Sequence, residues 1–539
     1  MKSSHLGAWA SAALLLANVS AHADEGLANF GNIGSAPTAA APEAKPAKSS
    51  RNKPSKKLSS QRQAAPAAAA VIEPWGPVPT GKLISLVNVA PGLLAYFNNA
   101  PVFGLPGTVT GDIWSRTQLL GDWDGTRTDL ARQGFFFDIY STSYYQNITS
   151  GGLKTGGSFV QNTQFSVNID TARAGWWSGG LIHATAQWRS GDSPSNTFTS
   201  GASVPQYTGL VYPDPQLSHD ILPTEYYLVQ ALSRQFSVVL GKISNIFIPD
   251  QTAFGSSYKF HFANFNFNKN PMTPNFYNPT SLAALGVFAF SPKFAIAGGV
   301  LDPDSKADNL ASHAFDHVNL YLTSVMSYDI AGLPGQFSPA FNWSNKPKID
   351  LDMPFGRLTS LAAVTQAVGG LLGANGLDGL PTNTKSESWF AIANASQYLF
   401  VKDDPETIAR KLKSGELIRG VGVFARVGYA PEETNIVSRD ASIALFAHGL
   451  LAGRDYDSFG IGIYHNRISD KLKTDIGLLT RGAASAGDET GMEVFYDFAI
   501  TPAVRLIPSY QHIWNPLSAR IAEGHDSTDI VQTRLTIAW

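Results

Sequence analysis

The chain has 539 residues, 15% of them charged and 11% aromatic, with a formal net charge of −2. Soluble proteins average about 25% charged residues, so this chain is poor in charge, and its near-neutral balance gives no reason to expect a nucleic-acid partner. There is no cysteine, which removes disulfides, thiol nucleophiles and cysteine-bound metals.

The amino terminus reads as an export signal over residues 1–23. Lys2 supplies the positive charge, Leu6 to Val19 a short apolar run, and Ala21-His22-Ala23 a small-x-small cleavage site. No later run reaches the roughly 18 uncharged apolar residues of a transmembrane helix. A membrane-spanning reading therefore requires a closed barrel, the other structure that satisfies every backbone group in lipid. Residues 24–113 form a separate tract. Up to about residue 80 it is dominated by Ala, Pro, Ser and Lys, with Lys45, Lys48, Arg51, Lys53, Lys56, Lys57 and Arg62 making it basic. Such a composition predicts a disordered N-terminal extension. It serves either as a passive spacer or as a tether to an anionic cell-wall polymer. Leu83 to Phe103 is more apolar but broken by Pro91, Gly92 and Pro101. It reads as a short segment packing near a barrel entrance.

From Trp114 the texture changes. Leu119 to Gly134 predicts a turn and one or two helical turns, with Asp122 or Asp124 as cap and Gly134 as stop. Asp122, Asp124, Gly125 and Asp129 resemble a calcium loop only loosely, because the closing glutamate is missing. Period-two alternation begins at Phe135–Asn147. It recurs at Ser158–Asp170, Gly180–Arg189, Thr224–Leu232, Phe236–Ile243, Leu282–Phe290, Phe294–Leu301, Asp316–Tyr328, Ser388–Leu399, Gly420–Tyr429, Ser458–Asn466 and Asp475–Thr480. Leu358 to Leu380, rich in Ala, Gly and Leu, predicts a helix within a loop. The carboxy-terminal stretch is the clearest. Val494, Tyr496 and Phe498 oppose Glu493 and Asp497; Val504, Leu506 and Tyr510 oppose Arg505, Ser509 and Gln511. Val531, Thr533, Leu535, Ile537 and the terminal Trp539 oppose Gln532, Arg534 and Thr536. Short turns at Ser233-Arg234 and Thr501-Pro502 alternate with long polar stretches at Ser190–Pro223, Gln251–Pro279 and Asn515–Thr528. The expected fold is all-β: a transmembrane antiparallel β-barrel over residues 114–539, with short periplasmic turns and long outer loops.

No catalytic motif stands out, and neither a cofactor nor a metal site is expected. Asp302, Asp304 and Asp308 have ligand-like spacing but read more simply as a polar turn, and Asp403-Asp404 and Glu432-Glu433 as solvated surface. The inward positions are more informative. Strand parity places Phe424 and Arg426 inward on one strand, Tyr464 and Asn466 on another, Glu493 and Asp497 on a third and Arg505 on the next. Both charge signs beside aromatics suit sugars, whose hydroxyls exchange hydrogen bonds with charged groups while ring C–H faces meet aromatic planes. Binding in a channel must stay weak enough for release.

Four stretches resemble the carbohydrate-selective porins of the OprB family. They are Leu119-Leu120-Gly121-Asp122-Trp123-Asp124-Gly125-Thr126-Arg127; Gly422–Pro431 with Phe424-Ala425-Arg426; Gly449–Gly460 with Gly453-Arg454-Asp455-Tyr456-Asp457; and Glu493–Pro516 with Phe495-Tyr496, Ile500-Thr501-Pro502 and Gln511. The resemblance runs from about Trp114 to Trp539. It implies about 16 strands, outer-membrane location, and facilitated diffusion of sugars, glucose above all. It also implies that Gly121-Asp122-Trp123 lies before the first strand near the periplasmic mouth. The chain departs from the family in having Asp124-Gly125 where two glycines are common, and in its basic Ala/Pro tail. The candidate channel residues are Trp123 and Arg127 from the motif, and Arg426, Arg454, Glu493 and Arg505 from parity or loop position. The expected partners are carbohydrates, outer-membrane lipid and lipopolysaccharide. The competing function class is a secreted or surface β-rich carbohydrate-binding protein or glycosidase, which would need two carboxylates facing across a cleft.

Overall fold

The alternating segments pair into one sheet that closes on itself. The computed structural model describes residues 75–79, 82–90, 94, 106–191, 200–204, 221–244, 254–255, 257–306, 314–352, 384–479 and 482–539. The export signal, most of the basic tract and the helix expected over Leu358–Leu380 lie outside these residues. Sixteen strands form the closed antiparallel barrel. They are β1 Phe135–Gly151, β2 Gly156–Asp170, β3 Gly180–Gly191, β4 Ile221–Ala231, β5 Phe236–Ser244, β6 Thr280–Ser291, β7 Phe294–Leu301 and β8 Asn319–Ile330. The circuit continues through β9 Leu333–Ser344, β10 Ser388–Val401, β11 Gly420–Tyr429, β12 Val437–His448, β13 Ser458–Ile468, β14 Glu489–Thr501, β15 Val504–Trp514 and β16 Ser527–Ala538. A two-residue ribbon, Lys348–Ile349 with Thr384–Lys385, stands apart from the barrel. No helix among the described residues is long and apolar enough to cross a membrane.

Each strand turns one face out and one in. Phe165, Leu240, Leu322, Ile443, Ile463 and Phe498 are exposed on the outer wall, the apolar band a barrel presents to lipid. β1 and β16 close the circle, with Tyr140 opposite Ala538 and Ile148 opposite Ile530. The terminal residue locks the seam. The Trp539 amide donates to the Ile139 carbonyl at 2.9 Å, and its indole N–H to Ser141 at 2.8 Å.

Short connections gather at the end where β1 begins and β16 stops, hereafter the turn end. Thr501 and Val504 flank one such turn. Ala331 and Gly332, both with positive φ, make the two-residue turn between β8 and β9. Helix α1, Thr126–Arg132, lies beside this end. Asp122 accepts the Thr128 amide and hydroxyl, both at 2.7 Å, and so holds the first turn of the helix. Gly134, at φ 93°, lets the chain turn into β1.

Three sequence expectations need correction. Asp475–Thr480 is not a strand; it falls largely within helix α3, Asp470–Leu479, between β13 and β14. Leu472 and Ile476 are both buried, four residues apart, and a short apolar run does not separate the helical period from the strand period. Two strands went unread. β9 carries Pro334, Gly335 and Pro339, residues that argue against a paired strand, yet the β8 and β10 ladders hold it on both sides. β12 mixes Asp440 and Ser442 with Ala444 and Phe446 on its inner face, which blurs the alternation. The polar stretch Asn515–Thr528, read as a loop, also contains a short helix, Leu517–Glu523.

Candidate functional site

The connection between β5 and β6 turns into the lumen. Within its described part the run Ser257 to Asn270 is rich in Phe and Asn, and every residue of that run is buried inside the barrel. A solvated outer loop of that composition would leave the phenylalanines in water. Folded inward, Phe262 packs on Phe267 at 4.7 Å and edge-on to Phe495 of β14 at 4.8 Å. Asn264 caps the helical turn Phe265–Asn268 through the Asn266 amide.

Wall residues hold this loop by its backbone. The Glu493 carboxylate accepts the amides of Ala263 and Asn264 at 2.9 and 2.8 Å, charge-assisted bonds of the stronger kind. Arg426 donates to the Phe267 carbonyl and, at 3.4 Å, to that of Asn266. Arg534 donates to the carbonyls of Tyr258, at 2.5 Å, and His261. Gln511 accepts from the Asn264 amide group at 3.0 Å, and Thr536 donates to the Lys259 carbonyl at 2.8 Å. The loop thus spans from β11 to β16 and narrows the lumen on that side.

Below the loop, at the turn end, lies a cavity of about 300 Å³. Phe260 of the loop faces it from one side. Tyr140, His448, Asp497 and Arg505 line its wall, and helix α2, Pro405–Ser414, closes it with Lys411 and Arg410. Arg505 and Asp497 form a two-point ion pair at 2.9 and 2.5 Å, and the guanidinium sits 5.3 Å from the Phe260 ring centre. Asp403 is clamped by Lys411 at 2.8 Å and Arg419 at 2.5 Å. Burial pushes the Asp403 carboxyl up, but bonds from Lys411 and from the Arg419 amide and guanidinium outweigh it and hold it at about 2.

The model of the OprB carbohydrate-selective porin family matches residues 154–528. The chain belongs to this family. Among solved structures, the high-pH form of Pseudomonas putida OprB is similar at 17% identity. It covers 78% of this chain and 98% of its own, with a TM-score of 0.63. The low-pH form of the same protein gives 14% identity, the same coverage and a TM-score of 0.45. The trimer form of Vibrio cholerae OmpT gives 10% identity, 75% and 100% coverage and a TM-score of 0.40. No curated protein matches the chain in sequence. Family and barrel together make this an outer-membrane carbohydrate porin of the Gram-negative type, a channel.

Within this OprB-family barrel the six sequence-predicted residues fall into four places. Glu493 and Arg426 both hold the inward loop, from β14 and β11. Arg505 lines the turn-end cavity. Arg127 is buried at the turn end, donating to the Trp539 carbonyl at 3.1 Å and the Phe137 carbonyl at 2.8 Å, and pairing with Asp138 at 3.2 Å. Trp123 is 41% exposed, with the Arg127 guanidinium 5.2 Å from its ring centre. Arg454 stands apart. It makes a two-point pair with Asp457, both bonds 2.8 Å, and lies 4.1 Å from the ring centre of Phe498 on the outer wall. That contact puts it on the outside of the rim, not in the lumen.

Sequence reasoning missed the loop itself, with Phe260 and Asn264, and it missed His448 and Asp403. The run from Phe260 to Asn270, with four phenylalanines and four asparagines, was the available signal. Apolar rings alternating with side-chain amides suit a segment packed against a wall of mixed polarity.

Proposed function

We propose that this porin conducts glucose-like monosaccharides into the periplasm and that the turn-end cavity is a weak sugar station on their route. The size and lining of that cavity carry the reading. About 300 Å³ accommodates a hexose ring with some of its water but not an extended oligosaccharide. Tyr140 and Phe260 offer aromatic faces. Arg505 and Asp497 are already paired, so a sugar hydroxyl exchanges with an existing bond instead of gaining a new one. Each such exchange is worth about 0.5–1.5 kcal/mol, which favours rapid release.

In the same reading Glu493 and Arg426 act on flux by fixing the inward loop, and Arg127 by anchoring the closing seam. Trp123 offers its ring at the mouth, and Arg454 braces the outer rim. Residues 1–23 serve as export signal and the basic tract as a spacer or cell-wall tether ahead of the barrel. The outer belt meets lipid, with lipopolysaccharide around the loop end. We infer no hydrolytic step, and release of free sugar from a glycoside by the pure barrel would overturn that part.

The test is conductance in a planar bilayer, titrated with glucose, maltose and an uncharged polymer. Saturable block by glucose at lower concentration than by maltose is expected. Channels indifferent to both sugars would reduce the protein to a general diffusion pore.

A further inference from the structure

The inner wall of this barrel is divided. From β1 through β3, and again from β11 to β16, it carries polar and charged side chains such as Asp138, Asn162, Arg426 and Gln511. From β5 to β8 it carries Val239, Leu285, Val287, Ala295, Ala297 and Val325, none more than 3% exposed. An apolar wall does not face a hydrated lumen bare. Part of its cover comes from ahead of the barrel in sequence. Leu86, Val87, Ala90 and Leu94 are completely buried and join one continuous apolar cluster with that wall.

The same segment is fastened at the turn end. Asp170, at the end of β2, accepts the Ser85 hydroxyl and the Val87 amide, the latter at 3.3 Å. Arg173, in the connection to β3, donates to the Trp75 carbonyl at 3.2 Å, the Gly76 carbonyl at 2.7 Å and the Asn88 side chain at 3.1 Å. It also reaches the Arg132 carbonyl at 3.2 Å, tying the segment to helix α1. Ile84 bonds through its amide to Ser178 at 3.1 Å and through its carbonyl to the Gly179 amide at 3.0 Å. Trp75 packs edge-on to Phe136 with ring centres 5.6 Å apart. The segment's own described residues, Trp75 to Leu94, precede the part of the chain that the family model matches.

We propose that the described residues 75–79, 82–90 and 94 form a latched plug that occupies the apolar side of the lumen and confines passage to the polar side. Two independent features meet in it. The wall is apolar where a channel wall should be polar, and the segment covering it is held mostly by side-chain bonds from a barrel turn, with one backbone bond, instead of by strand pairing. Contacts of this kind open without breaking the barrel's ladders. The basic tract immediately before Trp75 is joined to the plug, so a pull on that tract acts on the latch.

The test uses the full-length protein in planar bilayers. Leu86→Asp with Val87→Asp places charge on the plug's buried face and leaves every barrel residue intact. A rise in single-channel conductance of about twofold, with passage of larger uncharged polymers, is expected from a widened polar path. A second variant adds Ile84→Cys and Ser178→Cys to this cysteine-free chain. Oxidation should return conductance towards the parent value, and reduction should release it again. Parent conductance and polymer cut-off in a heat-modifiable, folded double-aspartate variant would overturn the proposal. Failure of both that variant and the milder Val87→Ser to form a barrel would assign the segment to folding, and would overturn it equally.

Discussion

Glu493 accepts the amide of Asn264 at 2.8 Å across 229 residues of chain. With the Ala263 amide on its other oxygen, this one carboxylate fixes the inward loop at a fully buried point. Glu493→Ala removes the acceptor of two buried backbone donors, a loss of about 2–3 kcal/mol for the docked loop. The barrel should still form, because its ladders are untouched, but open-channel noise should rise and the loop should become open to protease. Glu493→Gln keeps an oxygen acceptor and should fall between. Quiet, parent-like channels from the alanine variant would show that other anchors suffice.

Arg505 should govern sugar block more than ion flow. Arg505→Ala leaves Asp497 buried without its guanidinium partner, and breaking such a pair costs about 3–5 kcal/mol. The cavity then loses both its fixed donor and the cation beside Phe260. The glucose concentration for half-block should rise about tenfold, equivalent to about 1.4 kcal/mol, with open conductance changed much less. Unchanged glucose block, measured in the same bilayers, would remove Arg505 from the sugar path.

Acid should loosen the turn end before it unfolds the barrel. The Asp403 carboxyl is lowered from its ordinary 3.8 to about 2. Its stabilising effect is therefore fully present above about pH 4 and is lost as pH falls through about 2. Over that window Asp403 should release Lys411 of α2 and Arg419, seen as new gating events in bilayers at low pH. Asp403→Asn should show the same gating at neutral pH and little further change on acidification. Gating that begins near pH 6 in the parent would point to another group.

Most of the barrel was legible because strand alternation reports a local fact, the polarity of the two faces of one wall. The last three strands and the terminal Trp539 could be placed by residue for that reason. β9 was hidden because Pro334 and Pro339 contradict local strand propensity while neighbours on both sides impose it. The site was harder for the same physical reason. Parity places Glu493 and Arg426 inward but cannot say what meets them, since their partners Asn264 and Phe267 come from a loop with no period of its own. Arg454 carries the opposite lesson: its position after a glycine-rich turn is compatible with either side of the rim, and contact with Phe498 decides it.

Small residues on the inner wall make the loop's fit possible. Gly460 and Gly462 face inward on β13, and a Cβ built on Gly460 would stand 2.3 Å from the Phe495 ring of β14 and 2.7 Å from the Phe262 ring packed on it, while one on Gly462 would stand 2.6 Å from Phe267. Rings in a packed wall cannot yield that much, and overpacking of this kind costs about 1–3 kcal/mol. Both positions have ordinary extended backbone, so the strand itself tolerates a side chain, and valine favours it. Gly460→Val should therefore leave barrel assembly and heat-modifiable migration intact while displacing Phe262 and the loop behind it. The expected readout is altered conductance with weaker glucose block, since Phe260 two residues earlier faces the cavity. A variant with parent conductance and parent block would mean that the loop absorbs the change by local repacking, and that its seat on β13 does not set the bore of the channel.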